Sequence, residues 1–249
     1  MTSKVLYKEL LPSEFRERLE DKPIAYLPLG TLEWHGEHMP LGSDGIQSQA
    51  LFELIAREFG GIVLPMLFLG PDIHKAKDDG DFFGMDIYDF EGRDYDHQQL
   101  DGSAYWVSDI VFKAIIDSTA RQLSRTGFKI LVAHGHGPST IQFQSMIDAL
   151  NDKYGLDCYI CFFDDLGKDR SKIGFQVDHG ASNETSIVMA VRGDLVDHTK
   201  IEEDMSKLPK GVAGIDPRGV ASPQNGDIAI NYTKDRMIGI LKKALNKFK

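Results

Sequence analysis

Cysteine and tryptophan are scarce in this 249-residue chain: Cys158 and Cys161, Trp34 and Trp106, and no others. The Cys-x-x-Cys spacing invites a zinc or redox reading, but no second cysteine pair exists to complete a zinc site. The pair sits in a strand-like run, Leu156 to Phe163, where residues three apart point to opposite faces. Two reduced core thiols are therefore expected. Long apolar runs are also missing, which excludes a membrane-spanning helix. The opening residues Met1-Thr2-Ser3-Lys4 lack the apolar core of a signal peptide, so a cytoplasmic location is expected. Basic residues are outnumbered, 28 Lys and Arg against 38 Asp and Glu, for a net charge of −10. That balance argues against nucleic acid or an anionic membrane as the main partner. No linker, charge block or repeat divides the chain, and its length suits one α/β domain over residues 1–249.

What the sequence does contain is an alternation of strands and helices. Short apolar runs at Ile24–Leu29, Ile62–Leu69, Lys129–Ala133 and Cys158–Phe163 read as buried strands. Helical spacing follows Leu11-Pro12-Ser13, with Phe15 and Leu19 inward. It returns after Asp44, through Ile46, Leu51, Leu54 and Ile55, until Gly60-Gly61. Further helices are expected over Tyr105–Arg125, stopped by Gly127, around Phe143 to Leu150, from about Asn183 to Val191, and through Ile230 to Leu245. In the last of these only Lys234 interrupts the apolar stripe. Such alternation predicts an α/β fold, a three-layer α/β/α sandwich with a mostly parallel central sheet.

Three loops carry the chemistry. The first strand empties into Leu29-Gly30-Thr31-Leu32-Glu33-Trp34-His35-Gly36-Glu37-His38-Met39-Pro40-Leu41-Gly42-Ser43-Asp44. Glu33, His35, His38 and Asp44 crowd into twelve residues there. On an extended chain Glu33 and His35 point the same way. A carboxylate and an imidazole side by side, with a further carboxylate nearby, suit zinc or manganese. The strand at Lys129 opens into His134-Gly135-His136-Gly137-Pro138-Ser139. A third group is Asp178-His179-Gly180-Ala181-Ser182-Asn183-Glu184-Thr185-Ser186. Each lies where a strand or loop meets a helix start, a usual place for function. Asp44 also stands where a helix N-cap is wanted, and Glu184 in a first turn could merely complement the helix dipole.

These motifs resemble the creatininase (creatinine amidohydrolase) family of metal hydrolases. Its Glu-x-His-Gly-x-His-x-Pro-Leu-x-x-Asp segment is matched from Glu33 to Asp44. Its Asn-Gly-His-Gly-like loop is approximated by His134 to Gly137. Its His-Ala-Gly-x-x-Glu-Thr-Ser signature appears from His179 to Ser186 with the second and third residues exchanged. A late Gly-x-Asp-Pro segment corresponds to Gly214-Ile215-Asp216-Pro217, followed by small residues up to Gly226.

The resemblance implies a metal-dependent hydrolase that cleaves a non-peptide C–N bond of a cyclic amide or formamide with metal-bound hydroxide. It implies one or two divalent ions, zinc foremost with manganese or iron(II) as alternatives. Asp44 would bridge, with Glu33 and His136 on one ion and His35 and Glu184 on the other. His179 matches the family's acid/base histidine, Glu184 a site carboxylate with a catalytic part, and His38 a residue supporting the ligands. A small-molecule substrate and a homohexamer are implied as well. Two other readings stay open: a hydrolase opening a keto-inositol ring on the same fold, and a metal-binding protein without catalysis.

Two departures bear on the substrate. Creatinine-cleaving members have Gly-His-Tyr-Glu where this chain has Gly135-His136-Gly137-Pro138. They also enclose creatinine with tryptophans in the later loop, for one of which Phe175 is a candidate replacement. Finally, residues 72–101 hold ten acidic and three basic side chains together with Phe82, Phe83, Tyr88, Phe90 and Tyr95. Two readings of this insert remain, a solvated surface excursion and a lid or interface arm. Asp78-Asp79-Gly80-Asp81 lacks the spacing of a calcium loop. His74, His97 and His198 are expected at the surface or on the lid.

Overall fold

Strand β1 (Ile24–Leu29) is buried along its whole length and sends alternate side chains into two different cores. Ile24 and Tyr26 join one, Ala25, Leu27 and Leu29 the other, as the two-residue period of a strand requires. This is seen in a computed structural model that describes residues 3–77, 80–87, 104–161 and 178–248. Along the chain, β1 follows α1 (Pro12–Asp21) and leads to α2 (Ser43–Glu58), β2 (Ile62–Val63), β3 (His74–Lys77) and β4 (Gly80–Phe83). Then come α3 (Asp109–Thr126), β5 (Ile130–Gly135), α4 (Gly137–Tyr154), β6 (Asp157–Ile160), α5 (Ser182–Arg192) and α6 (Pro223–Leu245).

The central sheet has the order β2-β1-β5-β6 with every pairing parallel. On one face Leu51, Phe52 and Ile55 of α2, Ile187 of α5 and Met237, Ile238 and Leu241 of α6 pack on Tyr26 and Val132. On the other, Phe112, Ile116 and Ala120 of α3 and Phe143 and Leu150 of α4 pack on Leu27 and Leu131. Phe15 and Leu19 of α1 close the edge of that second core. The expected three-layer α/β/α arrangement is what results, because a parallel sheet must cover both faces. Cys158 lies in the second core and Cys161 in the first, both as free thiols. Lys234, the one break in the stripe of α6, forms an ion pair with Glu58 at 2.6 Å.

Three boundaries differ from the sequence reading. The strand expected over Ile62–Leu69 is only two residues long, although Leu64 N donates to Tyr26 O and Leu67 N to Pro28 O. These donors are three residues apart and their acceptors two, so β2 carries one extra residue there; the ladder breaks and resumes as a bridge between Leu29 and Leu67. The helix expected from Tyr105 begins at Asp109, where the Ser108 hydroxyl accepts from Val111 N. Its end is as expected, with Gly127 at φ 113°. Asp44 is not a cap: Gly42 holds that position, and Asp44 lies inside the first turn of α2.

The described part of the acidic insert is a two-stranded antiparallel hairpin, β3 against β4. Phe82 is buried, and Phe83 stacks between His74 and Trp106 at centroid distances of 4.6 and 4.0 Å. Asp78, Asp79, Tyr88, Phe90, Tyr95, His97 and Phe175 lie outside the described residues, as do Phe162 and Phe163.

Candidate metal centre

Strands β1 and β5 end side by side, with Leu29 paired to Gly135. Gly135 has φ 142°, and a Cβ there would overlap the Leu29 carbonyl, so only glycine lets the strands stay this close past their ends. Beyond that point His136 N donates to Leu29 O at 3.0 Å, and the first two chemical loops are held together. Helix α5 brings the third. The late Gly-x-Asp-Pro segment has a structural part here: Ala213 pairs both ways with His179, and Ser182 N donates to Ile215 O at 2.9 Å.

The convergence brings together every ligand expected from the sequence. Glu33, Asp44 and His136 form one group whose donor atoms lie within 4.8 Å of one another, and His35, Asp44 and Glu184 form a second that shares Asp44. Nearest approaches are 3.5 Å for His35 Nε2 to Asp44, 3.7 Å for His35 Nε2 to Glu184, and 3.4 Å for His136 Nε2 to Glu33. Charge-assisted N–H···O bonds are shorter, about 2.7–2.9 Å. By contrast, two ligands each about 2.1 Å from a tetrahedral ion stand roughly 3.4 Å apart. The observed spacing fits donors that could surround a cation.

Hydrogen bonding supports the same fit. His35 Nδ1 lies 2.9 Å from Glu33 O, where its N–H donates, which leaves Nε2 as the electron-pair donor. His136 Nδ1 bonds Ser139 Oγ at 3.2 Å and turns its own Nε2 to the site. His35 Nε2 and Asp44 Oδ2 are buried with no hydrogen-bond partner. Orphaned buried polar atoms that face one another call for a ligand.

Electrostatics make the demand for positive charge explicit. Burial opposes ionisation of Glu33, yet His179, His136 and His35 outweigh it and hold this carboxyl at about 2. Burial also opposes the charged form of Asp44, and His35 again pulls it far down. Burial works against protonated His35 and His136, but Asp44 and Glu184 raise the first and Glu33 the second. Glu184 is pushed up to about 8 by burial and by Asp44 and Asp178. Burial with Glu33 raises Asp72 to about 7, and burial raises Asp178 to about 7. More carboxylates converge here than the histidines can neutralise.

His179 stacks on His35 at 4.1 Å, and its Nε2 donates to Trp34 O at 2.8 Å. Burial and the adjacent His35 lower it to about 4, so the ring is neutral and Nδ1 carries the free electron pair. His38 stands behind the ligands, sharing a 2.9 Å bond with Thr185 Oγ1. His134, where the family pattern has Asn, bonds Ser48 Oγ at 2.8 Å, packs edge-on to Phe52 and reaches the wall of the same cavity without joining either ligand group. His74 and His198 are exposed.

Two acidic residues of the site were not singled out from sequence. Asp178 caps α5, accepting from Asn183 N at 2.7 Å and Glu184 N at 3.1 Å. Asp72 enters from the base of the hairpin, next to Glu33 across Gly84. Asp178 sat inside the third motif, next to His179, and so had a signal; Asp72 had none. Together with Glu33, Asp44, His136, His179 and Glu184 they line a cavity of about 510 Å³.

The chain matches the family model Creatininase, described as creatinine amidohydrolase, over residues 8–89 and 90–236. It belongs to the creatininase family. A curated relative of this creatininase-family chain, the creatinine amidohydrolase of Pseudomonas putida, is 27% identical over 260 residues, covering 97% of this chain and 92% of that protein. A solved creatinine amidohydrolase (creatininase) superposes with a TM-score of 0.73 at 22% identity, covering 99% of each chain. A structure described as creatininase Mn gives 0.69 at 22% identity, with 98% and 99% covered. At such identities the superpositions establish a shared fold, and the site geometry above is this chain's own.

Proposed function

We propose that this creatininase-family chain is a metal-dependent amidohydrolase that cleaves a non-peptide C–N bond in a cyclic amide or formamide. The observation that carries this is the pair of three-residue groups sharing Asp44 on the wall of a cavity large enough for a small ring. Glu33, His136 and Asp44 would hold one divalent ion, and His35, Glu184 and Asp44 a second, zinc or manganese being suited to these donors. A bound ion supplies Lewis acidity and a water that ionises near neutral pH.

The remaining steps fall to side chains. Neutral His179, fixed through its Nε2–H to Trp34 O, offers Nδ1 to take a proton from the attacking water. The same atom then delivers that proton to the departing nitrogen, the ordinary two-stroke use of one imidazole. Glu184 is held for its part by the N–H of Gly180 at 2.7 Å. Asp178 fixes the first turn that carries Glu184, so the ligand is aimed by a helix and not by a loose loop.

Gly137 and Pro138 stand where creatinine-cleaving relatives have Tyr and Glu, so a substrate other than creatinine is favoured. A cytoplasmic homohexamer, with the hairpin region near a subunit boundary, completes the proposal. The test is turnover by protein loaded with Zn²⁺ or Mn²⁺, assayed on creatinine, formamidopyrimidines and keto-inositols. Chelator-sensitive release of amine or formate supports the amidohydrolase. Turnover of the keto-inositol alone would replace it with ring opening, and stoichiometric metal without turnover would leave a binding protein. Light scattering at micromolar concentration tests the assembly, and a monomeric mass would refute it.

A further inference from the structure

A second cavity of about 720 Å³ adjoins the metal-site cavity, and Asp72, Ile73, Gly137, Pro138 and Ile141 face both. Two of these five, Gly137 and Pro138, are the positions where the chain departs from the Tyr-Glu pattern. A Cβ on Gly137 would meet nothing within 4 Å, so this partition is thin because the side chain is absent and not because the backbone is crowded.

The outer chamber has two kinds of wall. One is aromatic: Trp106 stacks on Phe83 and still keeps 36% of its surface exposed. The preceding Tyr105 has φ 74°, the one positive φ outside glycine among the described residues. Such a conformation persists where the surroundings impose it, and here it fixes the residue next to Trp106. The other wall is acidic, with Asp72, Asp81 and Asp109 and no lysine or arginine among the described lining residues. Asp81 is met by His74 at 3.0 Å and Asp109 by the neutral amide of Gln142 at 2.8 Å. Asp72, whose Oδ1 accepts the adjacent Ile73 N–H, stands between the two chambers.

We propose that the outer chamber is a substrate subsite for a planar cationic group, joined through the Gly137–Pro138 partition to the amide held at the metal centre. This rests on the amidohydrolase reading and extends it to a two-part substrate. The face of an aromatic ring and a carboxylate attract a planar cation together, the first through its quadrupole and the second through charge. An anion of the same shape meets repulsion from both. In the relatives with Tyr-Glu, side chains at these two positions would occupy the partition.

The test needs no turnover. Only Trp34 and Trp106 absorb at the red edge, and Trp34 is buried, so benzamidine binding in the outer chamber should quench Trp106. Benzamidine is expected to saturate this signal on the zinc-loaded protein, and benzoate at the same concentration to leave it unchanged. Asp72→Asn and Gly137→Tyr should each weaken benzamidine at least tenfold while melting cooperatively, and Trp106→Phe should abolish the signal. Quenching that Zn²⁺ displaces competitively would place the cation among the inner carboxylates and overturn the subsite. Equal binding of benzoate, or unchanged binding in Gly137→Tyr, would overturn it too. Calorimetric Zn²⁺ binding reports separately on the metal centre, so failure of the chamber and failure of the amidohydrolase reading are distinguished.

Discussion

His35 Nε2 and Asp44 Oδ2 face each other at 3.5 Å, both buried and neither with a hydrogen-bond partner. Too long for a strong ion pair and right for two ligands of one ion, this gap is where metal affinity should concentrate. Asp44→Ala is expected to lose more than nine-tenths of bound metal, together with nearly all activity. Because Gly42 and not Asp44 caps α2, helix stability should be spared. The chelator-treated variant should melt within about 2–4 °C of chelator-treated wild type, the shift that about 1 kcal/mol produces in a chain of this size. Elemental analysis with thermal melts decides, and wild-type metal content would refute a bridging role.

Helices α5 and α6 cross at Gly226, where a Cβ would overlap the Ser186 carbonyl. Gly226→Ala should therefore destabilise by about 1–3 kcal/mol through overpacking. Since α5 also carries Glu184, metal affinity should fall alongside. Urea titration and calorimetry would show both, and an unchanged midpoint would mean the crossing is looser than the structure has it.

His38 is held near 4 by burial first and by His198 and His35 next. An unfolded histidine titrates near 6.5. Between these values the unfolded chain binds a proton that folded His38 refuses, so stability falls as pH drops from 6.5 toward 4. In metal-free protein, wild type should lose stability relative to His38→Gln over that window, with no divergence above pH 7. Urea midpoints at pH 7 and 5 measure it, and parallel curves would contradict the assignment.

Burial pushes both thiols up to about 12, and they lie on opposite sides of the sheet. A thiol reagent at pH 8 should find no reactive cysteine in native protein and two in denaturant. Any disulfide between Cys158 and Cys161 in the folded chain would contradict their placement on opposite faces of the sheet.

The sheet and its layers were readable because β1, β5 and the long helices obey simple periods and end at Gly127 or Gly60. The candidate ligands were legible because Glu33, His35, Asp44 and His136 follow strand ends and Glu184 opens a helix, all within dense motifs that the fold brings together. Where reading stopped, the cause was tertiary. Strand β2 stops early because three of its residues span two of β1 between Leu64 and Leu67, a slip that no period in the sequence signals. Asp44 looked like a cap because Ser43 had not yet been placed inside the helix. Asp72 is one acid among ten in its segment, and only the fold of the hairpin, with Gly84 beside Glu33, makes it different from the rest.

A metal on the shared carboxylate of Asp44 would tie together loops that the chain separates widely. An ion held by His35, Asp44 and Glu184 would close a loop of about 150 residues, a closure whose entropic cost grows only slowly with length but which requires β1, α2 and α5 to be in place first. Such a tie forms at the end of folding. Its stabilisation should therefore be felt in the escape rate from the native state and scarcely in the rate of reaching it. In the cell, loss of metal would shorten the lifetime of the folded molecule before it altered how the molecule is made.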